Sequence, residues 1–251
     1  LKADGVKFAC LTSYDQQTAE IFDAAGIEVL LVGDSASNTV LANDGTVAIT
    51  LDEMIPFARA VARSAKKALV VLDMPFGSYE EGADQALRNG IKAMKETGVA
   101  ALKLEGARTD QVRALVDNGI PVMAHVGFTP QSVHGLSGFK VQGRDQDGER
   151  ILEQALQLEA AGAFAIVLEM VPAELGLRVS EALSIPTIGI GAGAGTDGQI
   201  LVWTDFAGLG SRSPSFSKPY AALRGTLSEA ARSYRQEVRD GTFPPSEKDF
   251  S

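Results

Sequence analysis

Ionisable side chains occur near the ends of five successive apolar segments of the sequence. These segments end in or contain Asp34 ("VLLVGD"), Asp73 ("ALVVLD"), Glu105 ("ALKLE"), His125 ("VMAHV") and Glu169 ("IVLEM"). A buried carboxylate is costly unless a cation or hydrogen-bond donors compensate it, and several carboxylates in one place also repel each other. A divalent cation would relieve that repulsion, and Mg²⁺ prefers oxygen ligands. The pattern therefore predicts a magnesium site where these segments end.

A lysine precedes the third of these acids by two residues. Side chains alternate along a strand, so Lys103 and Glu105 share one face while Leu102 and Leu104 share the other. We expect the leucines to face helices and the charges to face the interior. Lys103 then has two possible roles, because a lysine can neutralise a substrate carboxylate or form a Schiff base as a nucleophile.

Each of these residues has an ordinary structural explanation when it is considered alone. A single acid after a strand is more often a helix N-cap, His125 alone resembles a core histidine, and Lys103 could simply pair with Glu105. Zinc is disfavoured because the chain has only two histidines and one cysteine. The joint pattern favours a metal-assisted reaction on an oxygen-rich small molecule, with a carboxylate as proton acceptor.

Short apolar segments alternate with amphipathic ones along the whole chain. We predict strands over 7–12, 29–33, 68–73, 100–105, 121–126, 164–170, 187–191 and 199–203, and helices over 15–26, 50–65, 78–98, 109–119, 148–162, 172–184 and about 217–238, with N-caps at Thr50 and Thr109. Eight such alternations predict an α/β protein with a (β/α)8 TIM barrel, and a doubly wound open sheet is the alternative. The active site of a barrel lies at the C-terminal ends of its strands, where the ionisable residues occur. We expect a single domain over 1–251, ending in a helix and an extended Pro-rich tail.

A glycine-rich segment, "GIGAGAGTDGQ" at 189–199, follows the seventh predicted strand. Glycine-rich loops in this position of a barrel often bind phosphate through backbone N–H groups. A tight turn between two strands is the other explanation, and the absence of a predicted helix directly after the segment favours it.

Composition limits the classes of partner. The net charge is −9 and the chain has no basic cluster, which argues against a nucleic-acid partner. No apolar run approaches the roughly 18–20 residues of a membrane span. Cys10 is the single cysteine and cannot form an internal disulfide, and no signal peptide is recognisable. We therefore expect a cytoplasmic protein.

Longer motifs resemble one enzyme family over nearly the whole chain, from "TSYD" at 12–15 to "GTFPPSEKDF". They are, in order, "LVGDS", "LDMPFGSY", "ALKLEG", "VMAHVGFTPQSV", "GFKVQGR", "LEMVPAEL" and "IPTIGIGAGAGTDGQILVW". Together they resemble the 3-methyl-2-oxobutanoate hydroxymethyltransferase (ketopantoate hydroxymethyltransferase) family. The combination of "GFTPQSV" with "VQGR" is the most specific part of this resemblance, whereas "GDS" or "LEG" alone would be weak.

The resemblance implies a complete function. It implies a barrel of the phosphoenolpyruvate/pyruvate-utilising type that transfers a hydroxymethyl group from 5,10-methylenetetrahydrofolate to 3-methyl-2-oxobutanoate. The product would be 2-dehydropantoate, formed through a Mg²⁺-stabilised enolate in the first step of pantothenate biosynthesis. It also implies a homodecamer. Another magnesium-dependent lyase of the same barrel group and a catalytically inactive barrel remain as alternatives.

The resemblance also assigns roles to seven residues. It implies metal ligation by Asp34, by Asp73 and, through water, by Glu105; substrate contacts from Asp34, Ser35, Asp73, Lys103 and His125; and acid–base catalysis by Glu169. Under these roles Lys103 is a charge partner rather than a Schiff-base nucleophile.

Three loop positions differ from the family pattern. The segment "NDGT" at 43–46 keeps only its Asp and Thr, His134 stands where Asn is usual, and Ser215 replaces a lysine. We expect these differences to affect folate affinity or subunit contacts rather than the chemistry. For the two methyl groups of the substrate we expect an apolar contact from Val40, Met123 or Val141.

Overall fold

Eight parallel strands close into a barrel in the computed structural model, which describes residues 1–136, 138, 140–211 and 214–245. The strands are β1 (Phe8–Thr12), β2 (Val29–Val32), β3 (Leu69–Asp73), β4 (Ala101–Glu105), β5 (Val122–Gly127), β6 (Ala165–Glu169), β7 (Thr187–Ile190) and β8 (Gly198–Leu201). They follow one another around the barrel in chain order, and β8 pairs with β1. The (β/α)8 barrel is confirmed, and the open sheet is excluded.

Helices connect most of the strands. They are α1 (Gln16–Ala25), α2 (Ala36–Thr39), α3 (Leu51–Ser64), α4 (Ala83–Thr97), α5 (Thr109–Asp117), α6 (Asp147–Ala160), α7 (Ala173–Ala182), α8 (Trp203–Phe206) and α9 (Leu223–Asp240), with 3-10 turns at Lys2–Asp4 and Pro130–Ser132. Thr50 caps α3 as predicted and forms a reciprocal capping box with Glu53. The prediction for Thr109 is wrong, because Arg108 holds the cap position and Thr109 is the first helical residue.

The contacts divide the chain into two compact units. Residues 1–202 form the barrel, and the second unit runs from Trp203 to the C-terminus. In the second unit α9 buries none of its residues. The expected single domain over 1–251 stays a prediction, and most of the predicted extended tail, 246–251, lies outside the described residues. Within the described parts of the chain, no helix has the length and apolar character to cross a membrane.

Alternation along the strands separates the barrel interior from the helix-facing surface. A core of apolar side chains fills the interior, comprising Phe8, Cys10, Val29, Leu31, Val71, Ala101, Met123, Ala165, Val167, Ile188 and Ile200. Burial raises the pKa of the Cys10 thiol, so this cysteine acts as a packing residue rather than a nucleophile. Leu102 points the other way, towards α4, where a Cβ added at Gly90 would lie 3.1 Å from it. The predicted division of β4 into two faces is therefore confirmed.

The glycine-rich segment connects β7 to β8 and packs against α7. A Cβ on Gly193 would lie 2.4 Å from Ala173, and one on Gly195 would lie 2.9 Å from Leu177. Both distances are shorter than a Cβ tolerates, so the segment needs glycine to approach the helix. Asp197 closes the connection by accepting hydrogen bonds from Lys2 Nζ (2.8 Å) and Thr187 N (2.9 Å). Close packing accounts for these glycines without a bound phosphate.

Candidate active site

All seven residues assigned by resemblance line one cavity, which we call the inner cavity. It has a volume of about 100 Å³ and lies at the C-terminal ends of the strands. Asp73, Glu105 and Glu169 are the last residues of β3, β4 and β6. Ser35, Lys103, His125 and Asp34 complete the polar lining. The parallel barrel thus brings to one place residues that are up to 135 positions apart, Asp34 to Glu169.

Three carboxylates in the inner cavity are close enough to hold one cation. Asp34, Asp73 and Glu105 are all buried, and one oxygen of each lies within 4.8 Å of the others. The donors are all oxygen, which is the ligand type that Mg²⁺ prefers. Counting Glu169, four acids surround one lysine, so a divalent ion would reduce an excess of negative charge. The residues therefore fit a magnesium ion.

Lys103 is the cationic partner of this cluster. Its Nζ donates to both oxygens of Asp73 at 2.7 Å and to Glu105 Oε1 at 3.2 Å. Burial opposes the charge on the amine, but the carboxylates outweigh that cost and raise the pKa of Lys103. A protonated amine has no lone pair for attack on a carbonyl carbon. The geometry therefore favours a charge partner over a Schiff-base nucleophile.

The pKa values of the three acids diverge. Burial raises the pKa of Asp34 well above its usual range, and the charges of Asp73 and Glu105 raise it further. Burial also raises the pKa of Asp73, although Lys103 counteracts part of this effect. At Glu105 burial acts in the same direction, but Lys103 and His125 outweigh it and lower the pKa to about 2. Of the three carboxylates, Asp34 is therefore the one whose negative charge the surrounding residues compensate least.

His125 lies between two glutamates. Its Nδ1 is 3.3 Å from Glu105 Oε1, and its Nε2 is 3.4 Å from Glu169 Oε2. Neither ring nitrogen makes a hydrogen bond of good geometry within the described chain, although both are buried. Burial raises the pKa of Glu169 well above its usual range, and the charge of Glu105 adds to this. A carboxyl group with a raised pKa is suited to exchange a proton near neutral pH.

Gln131 is a site residue that the sequence did not reveal. Its Nε2 donates to Asp34 Oδ2 (3.0 Å) and to Met74 O (3.0 Å), and its backbone N–H donates to Glu105 Oε2 (3.0 Å). Tyr79 donates its hydroxyl hydrogen to Gln131 Oε1. Gln131 therefore fixes two of the three carboxylates. The motif "GFTPQSV" contains it, but the spacing of that motif does not indicate which atoms it contacts.

Tyr14, which lies in the connection between β1 and α1, orients Ser35. The hydroxyl groups of Ser35 and Tyr14 lie 2.6 Å apart, and Tyr14 is buried. Ser35 also precedes the first residue of α2. Its side chain is thus held at the edge of the inner cavity beside Asp34.

The apolar lining differs from the prediction. Neither Val40 nor Val141 lines the inner cavity, and both are exposed, while Met123 belongs to the barrel core. The apolar side chains that do line it are Leu31, Val167, Ile190, Ile200 and Val202. The interior faces of the strands therefore supply the apolar contact, because the cavity lies directly on the barrel core.

A second cavity adjoins the first, and we call it the outer cavity. Its volume is about 560 Å³, and it shares Thr46 and Pro130 with the inner cavity. Its other lining residues are Asn38, Asn43, Asp44, Gly45, Val47, Ala48, Val133 and His134. Two of the three loop positions that differ from the family pattern, the segment 43–46 and His134, therefore lie in one cavity.

Sequence comparison identifies relatives that match this chain over nearly its whole length. The family model described as Ketopantoate hydroxymethyltransferase matches residues 1–246. A protein from Leifsonia xyli subsp. xyli, named 3-methyl-2-oxobutanoate hydroxymethyltransferase, is 58% identical over 99% of this chain and 91% of its own. A protein of the same name from Arthrobacter sp. (strain FB24) is 55% identical over 99% of this chain and 84% of its own.

Solved structures with a similar fold are more distant in sequence. Phosphonopyruvate hydrolase in complex with oxalate and Mg²⁺ has a TM-score of 0.63 at 13% identity, covering 99% of this chain and 88% of that one. A 2,3-dimethylmalate lyase, a member of the PEP mutase/isocitrate lyase superfamily, has a TM-score of 0.61 at 18% identity, with coverage of 98% and 87%. At these identities the comparison establishes the fold alone, which is the predicted (β/α)8 barrel.

Proposed function

The chain belongs to the ketopantoate hydroxymethyltransferase family and is a transferase, and on this basis we propose that it converts 3-methyl-2-oxobutanoate to 2-dehydropantoate with 5,10-methylenetetrahydrofolate as donor. The observation that carries the proposal is the convergence of all seven motif residues in the inner cavity. Its volume of about 100 Å³ suits a small keto acid and excludes a folate. We further propose that this is the first step of pantothenate biosynthesis, carried out in the cytoplasm.

Asp34 and Asp73 are the proposed ligands of Mg²⁺, and Glu105 would reach it through water. When bound, the ion would act as a Lewis acid on the keto oxygen of the substrate. Lys103 would neutralise negative charge beside the substrate, and Ser35 would donate a hydrogen bond to the substrate carboxylate. Gln131 supports this arrangement because it holds Asp34 and Glu105 in place.

Glu169 is the proposed base for the C3 proton of the substrate. Opening of the donor's five-membered ring breaks the bond between its methylene carbon and N10 and leaves an iminium carbon. Loss of the C3 proton leaves an electron pair that forms the new carbon–carbon bond to this iminium carbon. Water then supplies the hydroxyl oxygen as the bond from this carbon to N5 breaks. Tetrahydrofolate leaves with one proton added to N5 and one to N10, which come from C3 and from water, so the reaction needs no oxidant or reductant. The neighbouring His125 lies beside this base, with its Nε2 3.4 Å from Glu169 Oε2.

An assay with two readouts tests this function. We expect Mg²⁺-dependent exchange of the C3 proton with solvent deuterium, and formation of 2-dehydropantoate only when methylenetetrahydrofolate is present. Exchange without product in the presence of the donor would contradict the proposal and favour a lyase of the same barrel group. Absence of both reactions in a folded protein would favour an inactive barrel.

We also propose that the chain assembles into a homodecamer, and α9 supports self-association. Leu227, Tyr234 and Val238 recur at helical spacing on one face of α9 and are 52%, 57% and 48% exposed. An exposed apolar face of this kind commonly marks a contact with another chain.

Leu227→Glu is therefore expected to shift the protein to smaller species in light scattering after size-exclusion chromatography. Burying a leucine stabilises a contact by roughly 1.5–3 kcal/mol, and a buried unpaired glutamate would oppose it. The control is Gln236→Lys, which changes charge on the opposite face of α9 and should leave the assembly intact. A monomeric wild-type protein, or an unchanged mass for Leu227→Glu, would contradict this role of α9.

A further inference from the structure

The outer cavity lies between two loops, one bonded to helix α2 and the other bonded to the carboxylate cluster. One wall is the segment that follows α2. Asn43 N donates to Ser37 O (3.0 Å) and Ser37 Oγ donates to Gly45 O (2.6 Å), so this segment is fastened to the helix that begins directly after Ser35. A ligand held by this wall would have a fixed position relative to Asp34.

The opposite wall belongs to the connection between β5 and α6. Pro130, Val133 and His134 line it. Gln131, which lies among them in sequence, is bonded to Asp34 and Glu105 as described above. This wall is therefore bonded directly to two carboxylates of the inner cavity, whereas the first wall is bonded to the helix that follows Asp34 and Ser35.

Thr46 stands where the two cavities meet. It lines both of them, and its Oγ1 is buried without a hydrogen-bond partner among the described residues. A buried hydroxyl without a partner is costly, and it commonly indicates a group that a ligand or water satisfies. The junction thus offers a polar contact to a molecule that extends from one cavity into the other.

The outer part of this cavity combines apolar surface with unpaired polar groups. Val47 and Val133 offer apolar contact, one on each wall. The side chains of Asn38, Asp44 and His134 also line the cavity, and the described part of the chain provides no hydrogen bond or ion pair for them. An apolar cleft with a few convergent polar groups is typical of a site for a small organic ligand.

We propose that the outer cavity binds the pterin ring of the folate co-substrate, with the Asp44 carboxylate accepting hydrogen bonds from the aminopyrimidinone edge. This inference rests on the proposed function. The aminopyrimidinone presents two neighbouring N–H donors, which match the two oxygens of one carboxylate. Asp44 and His134 lie outside the junction, whereas Thr46 and Pro130 form it. The ring edge that Asp44 recognises would thus point away from the inner cavity, and the one-carbon unit would enter at Thr46.

The cavity volumes support this division of the two substrates. About 100 Å³ in the inner cavity leaves no space for a bicyclic ring beside the keto acid. The 560 Å³ of the outer cavity falls within the range of ligand pockets, about 300–1,000 Å³. The loop that carries Asp44 is also where this sequence departs from the family pattern. Thus a change in folate affinity is expected there.

Asp44→Asn tests the proposal through binding of tetrahydrofolate to the full chain, measured by calorimetry. The amide keeps the size of the side chain but replaces one acceptor by a donor that opposes a pterin N–H. We expect the Kd for tetrahydrofolate and the KM for methylenetetrahydrofolate to rise about 10- to 100-fold. The KM for 3-methyl-2-oxobutanoate should change less than twofold. The matched control is Asp117→Asn, which removes an exposed carboxylate at the end of α5 and should leave every constant unchanged.

A folate analogue without the 2-amino group separates recognition by Asp44 from an indirect effect. We expect the 2-desamino analogue to bind the wild type and Asp44→Asn with similar weak affinity. The analogue lacks the amino group that would donate to Asp44, so replacing the carboxylate removes no further hydrogen bond. Equal tetrahydrofolate affinity of wild type and Asp44→Asn would overturn the inference while leaving the proposed function standing. A wild-type protein that exchanges the C3 proton but neither binds tetrahydrofolate nor uses the donor would overturn the proposed function itself.

Discussion

Glu169→Gln is expected to lower kcat by a factor on the order of 10²–10⁴, the usual contribution of a positioned general base. Glutamine preserves the shape of the side chain but cannot accept the C3 proton. Because Lys103 and the carboxylate cluster can still bind the substrate, the KM of the variant for the substrate should change by only a few-fold. Exchange of the C3 proton should slow by a factor similar to that for kcat, and isotope exchange followed by NMR measures this directly.

Protein stability provides the readout that separates a catalytic from a structural role for Glu169. Its folded-state pKa is raised, so its contribution to stability is complete below the pKa of the unfolded chain and is lost as the pH rises towards the folded value. The amide of glutamine does not ionise, so it does not lose stability as the pH rises. The melting temperature of Glu169→Gln at pH 7 should therefore be equal to or above that of the wild type. Glu153→Gln, an exposed change on α6, is the matched control. Wild-type kcat in folded Glu169→Gln would contradict the assignment.

Much of the barrel could be predicted because its strands carry a strong local signal. Each buried parallel strand is a short apolar run, and observed strand starts and ends differ by at most two residues from the predicted bounds, as at β6 (Ala165–Glu169) against 164–170. The acids at the ends of the predicted strands were sufficient to predict that they lie together in one site, since the C-terminal ends of parallel strands in a barrel meet at one face. The start of α5 was misassigned because a threonine before a helical pattern can either cap the helix or begin it.

Contacts between loops could not be predicted in the same way. Gln131 reaches Asp34 over 97 residues of sequence, and no periodicity encodes such a contact. The apolar lining was assigned to Val40 and Val141 because they lie near motifs in sequence, whereas the cavity takes its apolar side chains from strand interiors. The outer cavity was missed for a related reason. Its two walls are separate loops, one held by α2 and the other by the carboxylate cluster, and contacts distant in sequence determine how they face each other.

Asp34→Asn is expected to abolish productive binding of Mg²⁺ and to lower activity at least 100-fold at a fixed Mg²⁺ concentration. The amide still accepts the hydrogen bond from Gln131, so the loop should keep its position. It removes one anionic ligand, however, and metal affinity depends strongly on such ligands. In the wild type, saturating Mg²⁺ should raise the melting temperature, since a ligand at 100 times its Kd stabilises the folded state by about 2.7 kcal/mol. That rise should be absent in Asp34→Asn.

The order of stabilities should reverse with the metal. Burial and the charges of Asp73 and Glu105 disfavour an ionised Asp34, so without metal Asp34→Asn should melt at a higher temperature than the wild type. With saturating Mg²⁺ the wild type should be the more stable of the two. Asp147→Asn is the control, because its carboxylate bonds Gly143 N and Arg150 outside both cavities and should leave the Mg²⁺ response intact. A melting temperature of Asp34→Asn that still rises with Mg²⁺ as in the wild type would show that the ion binds elsewhere.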